Sequence, residues 1–211
     1  MVEKDFYFKL YKQLIFLVIN GKISFIICYF GGKMSYNKKS SLDTNDKQTL
    51  LTTFNNLLNN IKHTSLDKAL KYITNLPLIC KMHYNSLENR EQKRKHPKKL
   101  HPIIPKRGEI YNAYITEGVG SELCDNHLVL ILQNNKGNMY GEKVNIVPIE
   151  GDGTKINPAY QVKLSNDDME NGYLTKDPSR IIVTDITTID KARLGKRIGK
   201  VKAECMSNVV V

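Results

Sequence analysis

The sequence predicts an α+β chain, a helical arm followed by a small β-barrel, and three observations carry that expectation. Between about residues 45 and 95 the apolar residues recur every three or four positions, the period of an amphipathic helix. After Pro105 the texture changes to short β-rich runs separated by Gly, Asn and Asp turns. Charge divides at the same place: residues 1–105 carry 18 Lys+Arg against 7 Asp+Glu, whereas residues 106–211 carry 14 of each, so the whole formal excess of +11 lies in the first half. With 211 residues, 41% of them hydrophobic, the chain has enough apolar material for a core, in one domain of ordinary size or a small domain plus an extension.

Residues 1–33 form the first division. The run LIFLVINGKISFIICYF, residues 14–30, follows Lys4, Lys9 and Lys12, but Asn20 and Lys22 interrupt it. It is short for a spanning helix, which wants about 20 apolar residues, and no small-residue signal cleavage site follows it. Phe30-Gly31-Gly32-Lys33-Met34 is what a purine-rich ribosome-binding site and a start codon give when read through, so translation is expected to begin at Met34. On that reading the protein has no membrane association. If Met1 is used instead, the segment is an apolar helix or hairpin that must be buried or inserted.

Residues 34–95 form a helical extension. Leu50, Leu51, Phe54, Leu57, Leu58 and Ile61 make the first stripe, with Asp43, Thr44 or Asn45 as its cap. Ser65 opens a second helix with Leu66, Ala69, Leu70, Ile73 and Leu76 on one face, which Pro77 is expected to end. A third run covers 78 to 95. The tract NREQKRKHPKKL and the prolines at 97 and 102 then read as a basic linker over 96–105, either a solvated hinge or a contact to an RNA backbone.

Within 106–211 the strand candidates are EIYNAYI, HLVLILQ, KVNIVPI, AYQVKL and GYLTKDPSRIIVTDI, enough for a small barrel. Cys28, Cys80, Cys124 and Cys205 lie far apart with no CxxC spacing and no His placed to complete a zinc set, so they read as reduced cytosolic thiols.

Four fragments of this segment carry a family signal: Lys106-Arg107-Gly108-Glu109-Ile110-Tyr111, Gly120-Ser121-Glu122, the strand from His127 to Asn134, and Thr188-Ile189-Asp190-Lys191-Ala192-Arg193-Leu194. In order and spacing they resemble the KRGDVY opening, GSE loop, RPVLVIQN strand and TIDKxRL turn of the MazF/PemK (Kid) toxins of type II toxin–antitoxin modules, over residues 106–200. The resemblance implies an SH3-like, CcdB/PemK-type barrel, a homodimer, a cytoplasmic location and a cognate antitoxin whose tail fills an RNA groove. It also implies cleavage of single-stranded RNA without metal or other cofactor, the ribose 2′-hydroxyl attacking the adjacent phosphate to leave a cyclic phosphate.

In that family an Arg just before the Pro-Val-Leu strand and a Thr ending the next strand are the main catalytic pair; the matching positions here are His127 and, without gaps, Glu150. A guanidinium keeps its charge whereas imidazole exchanges a proton near neutral pH, so the exchange alters the chemistry. A carboxylate and an imidazole can still serve phosphodiester transfer as base and acid, and Glu150 is expected as base with His127 as acid. Glu122 and Ser121 match loop residues bordering the groove, Glu122 orienting a catalytic partner or the ribose. Arg107, Lys155 or the basic linker would stabilise charge, while Asn134 and Asp185 are substrate-binding candidates and Asp190 is expected to cap a helix that begins with Lys191. The leading reading is a sequence-selective endoribonuclease toxin; the alternative is a catalytically inactive barrel that binds RNA or protein.

Overall fold

The computed structural model describes residues 14–19, 22–27, 41–60, 65–115, 118–120 and 122–209, and the chain divides into two compact units, 1–50 and 51–211. In the first unit β1 (Leu14–Ile19) and β2 (Lys22–Ile27) pair antiparallel, Leu14 opposite Ile27 and Ile19 opposite Lys22. Of the two conformations open to the apolar run, the described part takes the extended one, two paired strands, as β-branched and aromatic residues favour. Met34 and the start-site expectation lie outside the described residues. Among the described residues no helix is long and apolar enough to cross a membrane.

Helix α1 (Thr44–Leu58) starts where the capping signal places it. Of the three candidate caps Asp43 does the work: its Oδ1 accepts the Asp46 N–H at 2.8 Å while Asp46 Oδ2 accepts the Asp43 N–H at 3.1 Å, a reciprocal box. None of its residues is buried, and Ile61 falls outside the described residues.

Helix α2 (Leu66–Lys95) corrects the sequence expectation of two helices broken at Pro77. Ser65 caps it, accepting from the Lys68 N–H at 3.2 Å, but the helix runs through Pro77 to Lys95. A mid-helix proline removes one hydrogen bond and crowds the carbonyl four residues back. Here the helix is tied to the barrel on both sides of it. Lys71 Nζ lies 3.0 Å from Asp125 before the proline; after it, Ser86 Oγ donates to Asp190 at 2.7 Å and Arg90 Nε to Glu142 at 2.7 Å. The stretch 96–105 is equally attached: the His101 N–H donates to the Met139 carbonyl at 2.9 Å, and both His101 and Pro105 are buried.

The remainder is β3 (Glu109–Ile115), β4 (Asp125–Ile131), α3 (Asn135–Tyr140), β5 (Lys143–Glu150), β6 (Gln161–Leu164), β7 (Met169–Gly172), β8 (Ser179–Ile182), β9 (Thr187–Asp190), β10 (Leu194–Val201) and α4 (Ala203–Val209). The sheet order is β6-β8-β5-β4-β3-β10-β7, with β9 also pairing β5. The two outermost strands, β6 and β7, are consecutive in the chain, separated by one 3₁₀ turn at Asn166–Asp168. So short a link between opposite ends of the order obliges the sheet to curl upon itself, the barrel-like α+β fold expected.

Both faces of its central strands are covered. Leu130 of β4 and Val147 and Ile149 of β5 pack with Ile110, Leu164 and Ile181, while Val129, Ile131, Val144 and Ile146 pack on the other side with Ile189 and Leu194. This explains why LVLIL and NIVPI read as unbroken apolar runs rather than as an alternation. Asp190 takes its capping role on a single 3₁₀ turn, accepting from the Ala192 N–H at 2.9 Å. Strands β7 and β10 approach so closely that Gly172 (φ +84) and Gly199 have no room for a Cβ; one built on Gly172 would lie 2.2 Å from the Ile198 carbonyl oxygen.

Candidate functional site

A groove of about 670 Å³ opens at one end of the barrel, lined by His127 and Leu128 of β4, Ile149 and Glu150 of β5, Lys196, Arg197 and Ile198 of β10, and the loops carrying Asp152, Tyr173 and Lys176. Register explains the gathering. Leu128 pairs with Ile149, so the next position brings His127 opposite Glu150, and Glu150 pairs in turn with Arg180 of β8. Residues opposite one another in antiparallel strands share a face. His127, Glu150 and Arg180 thus form one row across three strands.

His127 is half-buried, and its Nε2 lies 2.6 Å from the Cys124 carbonyl oxygen. A carbonyl only accepts, so Nε2 carries a hydrogen and Nδ1 is the nitrogen left for other chemistry. Glu150 Oε2 accepts from Arg180 Nη2 at 2.6 Å, and the same Nη2 donates to Asp152 Oδ2 at 3.0 Å. Asp152 Oδ1 lies 3.0 Å from Arg180 Nη1. The hydrogen bonds from the Thr154 backbone and hydroxyl, and then Arg180, hold the Asp152 carboxyl below the usual carboxylate range.

Cations border the same groove. Lys176 and Lys196 line the groove, and Arg197 is tethered there by Glu109 at 2.8 Å and by Asn171 at 2.9 Å. Glu109 is buried and also accepts from the Lys106 N–H at 2.7 Å and the Tyr111 hydroxyl at 3.2 Å. Burial, then the Glu109 charge, pushes the Tyr111 phenol up to about 12.

Of the described residues singled out from sequence, His127 and Glu150 line this groove, and Glu122, Arg107, Asn134 and Asp185 do not. Glu122 turns onto its own loop, accepting from the Val119 N–H at 2.8 Å, and Ser121 lies outside the described residues. The Arg107 guanidinium donates to the Leu132 carbonyl, at the far end of β4 and roughly 17 Å from His127 at about 3.3 Å per residue. Asn134 caps α3 through the Gly137 N–H at 2.8 Å, and Asp185 accepts from the Thr184 hydroxyl at 3.0 Å. Each of the three has a local structural duty, and Lys155 is likewise absent from the lining.

Sequence reasoning missed Arg180, Asp152, Lys176, Lys196 and Arg197. One signal was available: a charged residue inside the apolar run SRIIV must be paired if the strand is central. Of the three groove cations, Lys196 and Arg197 are neighbours on β10, and Lys176 lies in a loop 20 positions earlier with no spacing that joins it to them. Cys80, Cys124 and Cys205 are unpaired thiols, and burial pushes the Cys205 thiol up to about 11.

Comparison with known proteins bears on the same half of the chain. Residues 106–210 match the profile of the PemK-like, MazF-like toxin of type II toxin–antitoxin systems. Over 107 residues, 51% of this chain and 89% of the relative, the sequence is 32% identical to endoribonuclease EndoA of Bacillus subtilis (strain 168). Among solved structures, MazF from Deinococcus radiodurans superposes with a TM-score of 0.42 at 17% identity, over 50% of this chain and 89% of that one. A mycobacterial endoribonuclease in complex with its cognate antitoxin gives 0.36 at 22% identity, over 50% and 85%.

Proposed function

The chain belongs to the PemK-like, MazF-like toxins of type II toxin–antitoxin systems, and from that premise we propose that its barrel is a sequence-selective endoribonuclease acting on single-stranded RNA, with Glu150 as base and His127 as acid. The observation that supports this reading most is the row in which His127 and Glu150 stand on neighbouring strands at the floor of a groove bordered by Lys176, Lys196 and Arg197. An imidazole and a carboxylate across one groove suit a proton relay, and the surrounding ammonium and guanidinium groups suit a phosphate.

In the proposed reaction Glu150 Oε1 takes the proton from the ribose 2′-hydroxyl, since Oε2 is occupied by Arg180. The 2′-oxygen forms a bond to phosphorus, the bond from phosphorus to the 5′-oxygen breaks, and His127 Nδ1 in its protonated form delivers a proton to the leaving oxygen. The products are a 2′,3′-cyclic phosphate and a 5′-hydroxyl, with no co-reactant. The likeness to an endoribonuclease and to one solved with its antitoxin supports an antitoxin partner; a homodimer and a cytoplasmic location complete the proposal.

The test is cleavage of a long single-stranded RNA by the full chain without divalent metal, beside His127→Ala and Glu150→Gln. Each substitution is expected to lower kcat by about 10²–10⁴-fold, with cyclic-phosphate ends in the unmutated reaction. RNA bound but not cut by the unmutated protein would overturn the reading and leave an inactive RNA-binding barrel.

A further inference from the structure

Arg180 is the side chain on which the acidic part of the groove converges, and neither family likeness nor sequence pattern assigned it a role. It lies in the strand β8, 7% exposed, with its guanidinium between two carboxylates. A charge so far from water persists only when paired and hydrogen-bonded. Every hydrogen bond the structure gives that guanidinium goes to Glu150 or Asp152, and its buried Nε meets no acceptor among the described residues. The core therefore does not hold the guanidinium; the two carboxylates do, and it holds them in return.

Resting on the reading of Glu150 as base, we propose that Arg180 is the positioning residue of the site: by binding Glu150 Oε2 it fixes that carboxylate, leaving Oε1 as the single atom able to take the 2′-hydroxyl proton. The register supports this, because Glu150 and Arg180 are directly paired on adjacent strands and the bond of 2.6 Å is short and charge-assisted. Asp152 completes the clamp from the turn after β5. Its own oxygens are held by the Thr154 backbone N–H at 3.0 Å and hydroxyl at 2.9 Å, so it anchors the guanidinium without competing for the proton.

The experiment compares the full chain with Arg180→Gln and Arg180→Lys, measuring kcat and KM on a single-stranded RNA and, separately, the order of the Glu150 side chain by ¹³C NMR relaxation. In both variants the Glu150 side chain is expected to become more mobile, and kcat to fall about tenfold with KM changed less than about threefold, because a displaced base costs rate rather than binding. Arg180→Lys retains charge but not the planar guanidinium. Unchanged Glu150 order in a folded Arg180→Gln protein overturns the proposal, as does an unchanged kcat in Arg180→Lys; the second decides the matter if the glutamine variant does not fold. Should the unmutated protein fail to cut RNA, the proposed reaction falls, and the order of Glu150 alone still decides whether Arg180 fixes it.

Discussion

Helix α2 buries one of its 30 residues, Ser86, whereas β5 alone buries five of its eight. The helix attaches through Lys71–Asp125, Ser86–Asp190, Arg90–Glu142 and the Lys93 bond to the Tyr140 carbonyl. Leu66, Leu70, Leu76 and Leu78 remain exposed, and Leu87 is half-buried. Exposed ion pairs contribute about 0–1 kcal/mol each, while apolar burial contributes roughly 25 cal/mol per Å². A shape enforced by packing and an attachment made of polar contacts therefore answer differently to mutation, salt and pH.

The largest effect should come from the barrel's tightest point. Gly172→Ala is expected to cost about 4 kcal/mol, because its φ of +84 strains any side chain and the new Cβ would meet the Ile198 carbonyl and Gly199 backbone. Urea unfolding of the full chain checks this; a cost under 1 kcal/mol would mean that β7 and β10 separate easily. Next, Leu130→Ala in the fully buried core should cost about 3 kcal/mol, against roughly 0.5 kcal/mol or less for Leu70→Ala on the helix. Equal costs at the two positions would erase the contrast and show that the leucine face is covered in solution.

Lys191 sharpens the comparison at the seam between helix and barrel. Fully buried, with its Nζ donating to the Asn138 carbonyl, it is lowered to about 8 by burial and then by the Lys93 charge. Between about 8 and the ordinary lysine value the unfolded chain binds the extra proton, so this group makes stability rise with pH across that window. From pH 8 to 9 the gain is expected to be about 1 kcal/mol, and it should vanish in Lys191→Met. The elevated Cys205 thiol pulls the other way above about pH 9, since the unfolded thiol loses its proton first; the difference between wild type and variant isolates the lysine. The smallest effect is at Arg90, whose side chain is 44% exposed: Arg90→Ala should cost under about 1 kcal/mol, and less in high salt.

How much was legible follows the same division. The apolar period marked α1 and the start of α2, and Asp43 and Ser65 are caps of the expected kind. Pro77 misled, because a proline's local penalty is readable whereas the contacts that tie the helix to the barrel on both sides of it join residues 52 to 104 positions apart. In the groove, His127 and Glu150 were found from motif order, but Arg180, 30 positions from Glu150, emerges only from the pairing of β5 with β8. Arg107 and Asn134 stood in the right motifs, yet the end of the strand on which a residue falls is a matter of register.

By itself the sequence determined the class of the fold, the concentration of positive charge before residue 106, and the family to which the second half belongs, all properties of local propensity, composition and order along the chain. Tertiary structure alone decided which charges share a groove, which lysine is buried, and which carboxylate is held by Arg180. Those depend on strand pairing and on what excludes water, and neither is a property of any short stretch of residues.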